Sequence, residues 1–342
     1  MTIQGGSGEV GELLLPPHLS PDTLRPLAGG RALRLDGETM GTYWALSAVV
    51  PPELPETGLR SLLEQGFARV IAQMSQWEPD SEISRFNRAA PGTRFPLSAE
   101  FAYVLDCALE IARASGGAFD PTLGGASDLW GFGASAAPIQ TPDEKAVSTA
   151  RGPNWRHCIL EDGGRIAVQP GGLTLDLSGI AKGFAVDLGI RWLEAIGVHH
   201  ALLEIGGELR GVGVQADGMP WWVDIDIPPC SDAPHARIAL TGWAVATSGN
   251  YRRRRESDGQ SWSHSLDPVS GAPLGDDVLS ATALHPGCMQ ADALATVLMV
   301  LDGEKAMAFA DAYGLPARVV SRNAVRTSAA WKVWAQDEPR QD

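Results

Sequence analysis

The fold is indicated most clearly by residues 173–183, which read LTLDLSGIAKG. The leucines of this stretch alternate with polar residues, which is the period of a β-strand with one polar face. A helix is predicted to begin at Ser178, to run to about Ile196 and to end at Gly197, since glycine commonly follows the last helical turn. We therefore predict a strand-to-helix junction in the middle of the chain.

This junction is a candidate phosphate site. The first N–H groups of a helix have no partner inside the helix and lie at the positive end of its dipole, where anions bind. Lys182 falls in the first predicted turn, where the dipole alone would favour an acid, so its presence suggests a nearby anion. Asp176 could accept a hydrogen bond from a ribose hydroxyl or a flavin N–H. The structural alternative is a solvated lysine and a capping aspartate.

Strands and helices are predicted on both sides of the junction. The predicted strands are 33–35, 43–50, 201–205, 208–214, 221–227, 238–245, 317–320 and 329–334, with a hairpin turn at Asp36-Gly37. The predicted helices are 57–74, 98–115 and one that begins near 292. This pattern predicts an α+β fold with mixed β-sheets and interspersed helices. We predict an N-terminal extension over residues 1–31, one domain over 32–336 and a short tail over 337–342.

The composition narrows the classes of partner. The chain has 342 residues, of which 44% are hydrophobic and 20% charged, and its net charge is -14. An acidic surface repels nucleic acid and anionic lipid, so neither is an expected partner, and no membrane insertion is expected. The N-terminus resembles no signal peptide, which predicts a cytoplasmic protein as written, or a periplasmic one if a signal has been removed. The four widely spaced cysteines are predicted to be free thiols.

Several common catalytic and nucleotide-binding motifs are absent from the sequence. No GxGxxG follows a predicted strand, and there is no GxxxxGK[ST], GxSxG or HExxH motif. A Rossmann dinucleotide site, a P-loop, a hydrolase nucleophile elbow and a zinc-protease helix are therefore not supported. What remains is a series of local clusters, each weak when taken alone.

Three of these clusters lie before the junction. Met40 is followed by a glycine, and it could pack against a ring, although a simple turn explains the residues equally well. Trp77 lies in a polar loop where it could stack on an isoalloxazine or adenine face, or mark a helix entry. Residues Ala118, Phe119 and Asp120 follow a pair of glycines, which indicates a tight loop and a ligand contact about equally.

Two further clusters lie near the C-terminus. His264 follows a run of four arginines, Arg252 to Arg255, which we interpret as solvated. A neutral imidazole could accept a hydroxyl proton, although a lone histidine is more often structural. Asp292 and Thr296 are four residues apart on a predicted helix, so their oxygens share one face. Such hard ligands suit Mg²⁺, although Asp292 as a helix N-cap is the simpler interpretation.

Together and in this order, the clusters resemble the ApbE-like family, the FAD:protein FMN transferases, from about Leu35 to Trp334. The resemblance implies an FAD cleft between two lobes and one essential Mg²⁺. It implies that FAD contacts Met40, Trp77, Ala118, Phe119, Asp120, Asp176, Lys182 and Leu266. It further implies that Mg²⁺ is held by Asp292, Thr296 and the backbone carbonyl of Gly179.

The resemblance also implies a reaction, in which FMN is transferred from FAD to a Thr or Ser hydroxyl of an acceptor flavoprotein and AMP is released. We expect His264 to accept the hydroxyl proton. The sequence leaves two alternatives open, a Mg²⁺-dependent FAD pyrophosphatase and a non-catalytic FAD-binding or carrier protein. It departs from the usual family pattern at Trp77, Glu208, Asn250 and Ser265, which affects substrate contacts more than the fold.

Overall fold

The computed structural model describes residues 11–19, 21–134, 141–229, 231–257 and 259–336. The predicted tail over residues 337–342, the first ten residues of the predicted extension and Cys230 lie outside this part of the chain. Cys107, Cys158 and Cys288 are free thiols, as predicted. No helix in the described ranges is both long enough and apolar enough to cross a membrane.

The described residues form strands and helices that are interspersed along the chain. The strands are β1 (Glu12–Leu14), β2 (Arg31–Thr39), β3 (Thr42–Val50), β4 (Arg94–Pro96), β5 (Ile159–Glu161), β6 (Ile166–Val168), β7 (His200–Ile205), β8 (Glu208–Val212), β9 (Trp221–Ile225), β10 (Ala236–Leu240), β11 (Trp243–Gly249), β12 (Arg254–Ser257), β13 (Gln260–Ser263), β14 (Val278–His285), β15 (Ala317–Ser321) and β16 (Val325–Thr327). The helices are α1 (Glu56–Met74), α2 (Glu82–Asn87), α3 (Ala99–Ala114), α4 (Gly124–Leu129), α5 (Glu144–Arg151), α6 (Ala181–Ala195), α7 (Cys288–Leu301), α8 (Gly303–Ala312) and α9 (Ala329–Trp334).

A large antiparallel sheet organises the molecule, in the order β16-β15-β14-β11-β8-β7-β3-β2. Helix α6 packs against both α1 and α7, and the three helices lie on one face of this sheet. A three-stranded sheet, β1-β10-β9, covers part of the other face and combines parallel with antiparallel pairing. The predicted α+β class is confirmed, because sheets and helices form separate layers around the core.

Residues of the predicted N-terminal extension take part in the second layer. Strand β1 pairs in parallel with β10, and Leu14 is fully buried in the hydrophobic cluster between the two sheets. The backbone N–H of Leu15 also donates to the carbonyl of Trp334, near the other end of the chain. The segment is therefore held by sheet hydrogen bonds as well as by packing.

The first hairpin turns at Met40-Gly41 rather than at the predicted Asp36-Gly37. Strands β2 and β3 pair continuously up to Thr39 opposite Thr42, and both turn residues have positive φ, 51° and 69°. Gly37 lies within β2 directly opposite Trp44, and a Cβ there would come within 2.7 Å of the indole nitrogen. Glycine at 37 therefore makes room for a buried tryptophan and does not mark a turn.

The leucine-rich stretch before α6 is extended, but it is not the predicted strand. Its only pairing among the described residues is an isolated bridge between Thr174 and Leu123. The Leu175 backbone bonds instead to the side-chain amide of Asn87, at 2.8 and 3.0 Å. The Asp176 N–H donates to the Pro121 carbonyl at 2.8 Å. Alternation correctly indicates one buried face, but it does not reveal which groups bond the backbone.

The last predicted strand, residues 329–334, is helix α9. Ser328 caps this helix by accepting from the backbone N–H of Trp331 at 3.2 Å. Trp331 and Trp334 lie three residues apart and are both almost fully buried, which is the spacing of one helical face. The helical period of the two tryptophans therefore outweighs the β propensity of the segment.

Candidate functional site

Helices α6 and α7 approach each other closely at Gly183. A Cβ at this position would collide with the Cys288 carbonyl and would lie 2.9 Å from the Asp292 Cβ. The backbone N–H of Gly183 donates to Asp292 Oδ2 at 3.1 Å. We call the group formed by Gly179, Lys182, Gly183, Asp292 and Thr296 the α6–α7 seam.

Asp292 lies in the second turn of α7, so the interpretation of Asp292 as a helix N-cap is wrong. The helix begins at Cys288, and its first N–H groups are bonded by Asp187 from the middle of α6. Asp187 Oδ1 accepts from the Cys288 N–H and Oδ2 accepts from the Met289 N–H, both at 2.9 Å. An acid at a helix N-terminus stabilises it. Arg210 completes the arrangement with a 2.6 Å ion pair to Asp187.

Two buried carboxylates share one ammonium at the seam. Lys182 Nζ lies 2.6 Å from Glu208 Oε1 and 3.9 Å from Asp292 Oδ2. Burial raises the pKa of Glu208 to about 7, and Lys182 offsets only part of this rise. Burial likewise raises the pKa of Asp292. Burial alone would lower the pKa of Lys182, but the charges of Asp292 and Glu208 outweigh it and raise that pKa.

Thr296 meets the start of the junction one helical turn beyond Asp292. A Cβ at Gly179 would lie 3.3 Å from Thr296 Oγ1 and 3.3 Å from the edge of the Phe119 ring. Ser248 Oγ on β11 lies 3.4 Å from the same threonine oxygen. The structure therefore brings Gly179, Lys182, Asp292 and Thr296 together, and it places Phe119 beside them.

The loop before α4 is held next to the junction. Asp120 Oδ1 accepts from the Thr122 N–H at 2.9 Å and from its hydroxyl at 2.6 Å. Asp176 Oδ1 makes the same pair of bonds to Ser178, at 2.8 and 2.6 Å. Such side-chain turns fix loop backbones. Burial raises the pKa of Asp120, whose neighbours Ala118 and Phe119 are buried too.

His264 is oriented by the backbone of the arginine run. The Arg253 carbonyl lies 3.4 Å from His264 Nδ1 and accepts from the His264 backbone N–H at 3.2 Å. Burial and the Arg253 charge lower the pKa of His264 to about 4. The Lys182 charge also lowers this pKa, whereas the Asp176 charge raises it. A neutral ring with Nδ1–H bonded to the carbonyl leaves Nε2 free to accept a proton.

The arginine run is exposed at Arg252, Arg253 and Arg255, as predicted for a solvated stretch, but three of its side chains are bonded. Arg252 forms an ion pair with Asp226, and Arg254 binds Asp276 Oδ1 at 2.8 Å. Arg255 Nε donates to the Gly131 carbonyl at 3.0 Å. These bonds fix the segment that leads into the β12–β13 hairpin, after which His264 follows.

The remaining predicted contacts lie outside the seam, and we call Met40, Trp77, His264 and Leu266 the rim. Met40 lines an open concavity of about 440 Å³ formed by residues 38–42. Trp77 is 49% exposed, and its indole N–H donates to the Gly133 carbonyl at 3.2 Å. Leu266 is buried in a small cluster of its own with two tryptophans. No hydrogen bond between described residues joins Met40, Trp77 or Leu266 to the seam.

Asp187 and Glu208 are the seam partners that sequence reasoning did not assign. Each is an acid within an apolar, buried segment, at 8% and 6% exposure. The position of each acid within an apolar segment was visible in the sequence, and a buried acid requires a charged or hydrogen-bonding partner. The partners themselves lie on other elements, so their identity was not visible.

The predicted metal ligands form a sparse set of oxygens. Over the described ranges, no three His, Cys, Asp or Glu side chains gather as a metal-binding group. The seam offers one carboxylate, one hydroxyl and one backbone carbonyl as donors. Such a set suits a hard cation that keeps waters and takes further ligands from substrate phosphates.

Comparison with known proteins identifies the family. The sequence model of the ApbE family matches residues 40–319. A relative from Vibrio cholerae named FAD:protein FMN transferase is 34% identical over 89% of this chain and 90% of its own length. A relative of the same name from Klebsiella pneumoniae is 33% identical over 90% of this chain and 88% of its own length. The solved flavin transferase ApbE from Vibrio cholerae has a TM-score of 0.83 at 33% identity, covering 89% of this chain and 99% of its own. The apo flavinyl transferase ApbE of Pseudomonas stutzeri has a TM-score of 0.82 at 32% identity, covering 89% and 97%. The chain therefore belongs to the ApbE family.

Proposed function

We propose that this ApbE-family enzyme transfers the FMN half of FAD to a Thr or Ser hydroxyl of an acceptor protein, with Mg²⁺ bound and with release of AMP. The predicted enzyme class, a protein flavin transferase, agrees with the names of the relatives. The observation that carries the finer proposal is the seam, where Asp292 and Thr296 face the glycine-rich start of α6 beside a half-buried lysine.

The donor set fits Mg²⁺. Asp292, Thr296 and the Gly179 carbonyl would hold the ion, and all three donors are oxygens. When bound, Mg²⁺ would neutralise charge on the pyrophosphate oxygens and so make phosphorus easier to attack and AMP a better leaving group. Asp292 is held in place by the Gly183 N–H, so this ligand is oriented before any ion arrives.

Lys182 supplies the permanent positive charge that an acidic protein needs to bind a dinucleotide. Its ammonium lies in the first turn of α6, where the positive end of the helix dipole also favours an anion. The pKa of Lys182 is raised, so the side chain stays charged at neutral pH. We propose that it binds the pyrophosphate of FAD, in a position where surrounding protein strengthens the attraction.

The flavin and ribose would be bound by the groups around the seam. Phe119 reaches Gly179, which places an apolar ring next to the proposed metal ligands. Asp120 and Asp176 are polar groups on fixed loops. Trp77 offers an exposed ring for stacking, and its loop is tied to the junction by a 3.4 Å contact between Gln76 and Ser178.

His264 would be the base. Its Nδ1 is directed to the Arg253 carbonyl, so Nε2 can accept the proton of the acceptor hydroxyl. The hydroxyl oxygen forms a bond to the FMN phosphorus while the bond from that phosphorus to the AMP oxygen breaks. The proton passes to His264, and AMP leaves with the electron pair of the broken bond. Proton and charge therefore balance without any further reactant.

The test is incubation of the protein with FAD, Mg²⁺ and a candidate acceptor, followed by intact mass measurement. An FMN-sized addition to the acceptor, with one AMP released for each addition, supports the proposal. Replacing the acceptor Thr or Ser by Ala should remove the addition. Free FMN and AMP without an adduct would instead establish FAD hydrolysis, and FAD recovered unchanged would establish a carrier.

A further inference from the structure

We propose that Glu208 is a positioning residue, which holds the Lys182 ammonium away from Asp292 and so keeps that carboxylate available to a divalent cation. The inference rests on the proposed metal site, but it concerns a residue that does not belong to the ligand set. Glu208 would act through Lys182, without touching the cation.

The distances show that the Lys182 ammonium bonds to Glu208 rather than to Asp292. The ammonium lies 2.6 Å from Glu208 Oε1, which is a direct charge-assisted hydrogen bond, and 3.9 Å from Asp292 Oδ2, which is not. Both carboxylates are buried, at 6% and 4% exposure, so solvent screens neither attraction strongly. Without Glu208, the nearest carboxylate for the ammonium would be Asp292.

The mobility of the three groups differs. Asp292 is bonded to the Gly183 N–H, and Glu208 is fixed by its place in β8, opposite Ile205 of β7. Lys182 carries its charge on a flexible four-carbon stem with three rotatable donors. Of the three charged groups, the ammonium is therefore the one that can move between the carboxylates.

The local charge also favours a cation. When both acids are ionised, two carboxylates face one ammonium, which leaves one negative charge uncompensated in a buried place. Glu208 Oε2 is buried and has no hydrogen-bond partner among the described residues. The neighbouring Asp187–Arg210 pair is neutral as a whole and contributes no compensation. A divalent cation at Asp292 would supply the missing positive charge while Lys182 stays with Glu208.

The experiment measures the affinity for Mg²⁺ alone, without FAD, by isothermal titration calorimetry. Glu208→Gln should weaken Mg²⁺ binding about 10-fold, because the released ammonium then competes at Asp292, an effect of the size seen for outer-shell partners. Lys182→Met should tighten binding, because the competing charge is gone. In Lys182→Met/Glu208→Gln, the loss caused by Glu208→Gln should disappear, since it depends on the lysine.

Glu204→Gln is the matched control. Glu204 is equally buried on the adjacent strand, and it accepts from Tyr43 at 3.0 Å rather than from Lys182. The Mg²⁺ affinity of the Glu204→Gln variant should equal that of the unmodified protein.

Four outcomes overturn the inference. The first is a Glu208→Gln variant with unchanged Mg²⁺ affinity. The second is an affinity that Glu208→Gln weakens equally with and without Lys182, which would make Glu208 a direct ligand. If Glu208→Gln does not fold, the Lys182→Met variant tests the proposal by itself. An Mg²⁺ affinity of Lys182→Met that is unchanged or weaker contradicts the proposal. An unmodified protein that binds no Mg²⁺ removes the metal site itself, and with it this inference, whereas flavin transfer without Mg²⁺ would remain open.

Discussion

The seam and the rim are built in different ways. At the seam, the charged side chains of α6 and α7 are largely buried and are bonded to other elements, Lys182 to Glu208 of β8 and Asp292 to the Gly183 backbone. At the rim, the side chains come from turns and loops, and Trp77 is half exposed. Buried charges are costly unless they are paired, whereas exposed rings are free to bind a ligand. The difference teaches that charge is organised by pairing within the core, whereas the rim presents its side chains from turns and loops.

The largest effect expected at the seam is that of Asp292→Ala. Loss of the only carboxylate among the proposed ligands should lower the rate of FMN transfer by at least about 1,000-fold, since metal stabilisation of phosphoryl charge is worth several kcal/mol. The free energy of unfolding should fall by only about 1–2 kcal/mol, because the Gly183 N–H loses its acceptor while Lys182 and Glu208 remain as a neutral pair. Intact mass and denaturant titration measure the two quantities. Transfer at the original rate in the presence of a chelator would remove the metal proposal.

His264→Ala tests the rim in the same reaction. Loss of a positioned base should slow a single turnover about 10²- to 10⁴-fold. The dissociation constant of FAD should change little, because the imidazole is bonded to the protein through the Arg253 carbonyl. Rapid-quench measurement of AMP release, with FAD affinity from fluorescence, separates the two. A single-turnover rate equal to that of the unmodified protein would reject His264 as the base.

Asp187→Asn should damage the seam through stability rather than through chemistry. The substitution leaves Arg210 partly buried without its carboxylate and weakens the cap of α7. We expect the free energy of unfolding to fall by about 3 kcal/mol, as for a broken buried pair. Glu64→Gln, which breaks an exposed ion pair with Arg60 on α1, should cost less than about 0.5 kcal/mol. Equal losses in the two variants, measured by urea denaturation, would show that the seam is not specially stabilised.

The sequence predicted one side of the seam well. The spacing of Asp292 and Thr296 predicted a shared helical face, and the leucine alternation led to the start of α6. The other side of the seam could not be predicted, because its bonds are long-range. Gly183 and Asp292 are 109 residues apart, and Asp187 and Cys288 are 101. Local periodicity carries no information about contacts at such separations.

The errors in the fold have a common origin. The segments 173–177 and 329–334 were both predicted as strands from composition or alternation. In each case residues distant in the chain hold the segment, Asn87 through hydrogen bonds in the first and the cluster that contains Leu14 and the two tryptophans in the second. Tertiary contacts override weak local propensity. The rim residues Met40, Trp77, His264 and Leu266 stay predictions as ligand contacts, since their partners would be FAD and the acceptor.

Trp77→Ala should give a smaller effect at the rim. Loss of one stacking ring is worth about 1 kcal/mol, which corresponds to about 5-fold weaker FAD binding. Trp77→Phe should keep most of the affinity, because it keeps a ring. Tyr313→Ala is the control, since Tyr313 is an exposed aromatic residue at the end of α8. Fluorescence titration with FAD measures all three variants. An unchanged dissociation constant in Trp77→Ala would place the ring outside the ligand site.

The smallest effect concerns pH, and it distinguishes the rim base from an ordinary histidine. Burial and the Arg253 charge lower the pKa of His264 from 6.5 to about 4. A group with a depressed pKa is already neutral above that value, so the base form is fully present at pH 6 and is lost only as pH falls towards 4. The single-turnover rate should therefore be flat between about pH 5.5 and 7.5, where an unperturbed imidazole would change it several-fold.

Arg253→Gln removes the charge but keeps the backbone carbonyl that orients the ring. In that variant the acidic limb of the profile should move to higher pH, because the Arg253 charge, one of the causes of the depressed pKa, is gone. A limb near pH 6.5 in the unmodified protein would mean that His264 is solvated during the reaction, and the rim would then be more open than the structure indicates.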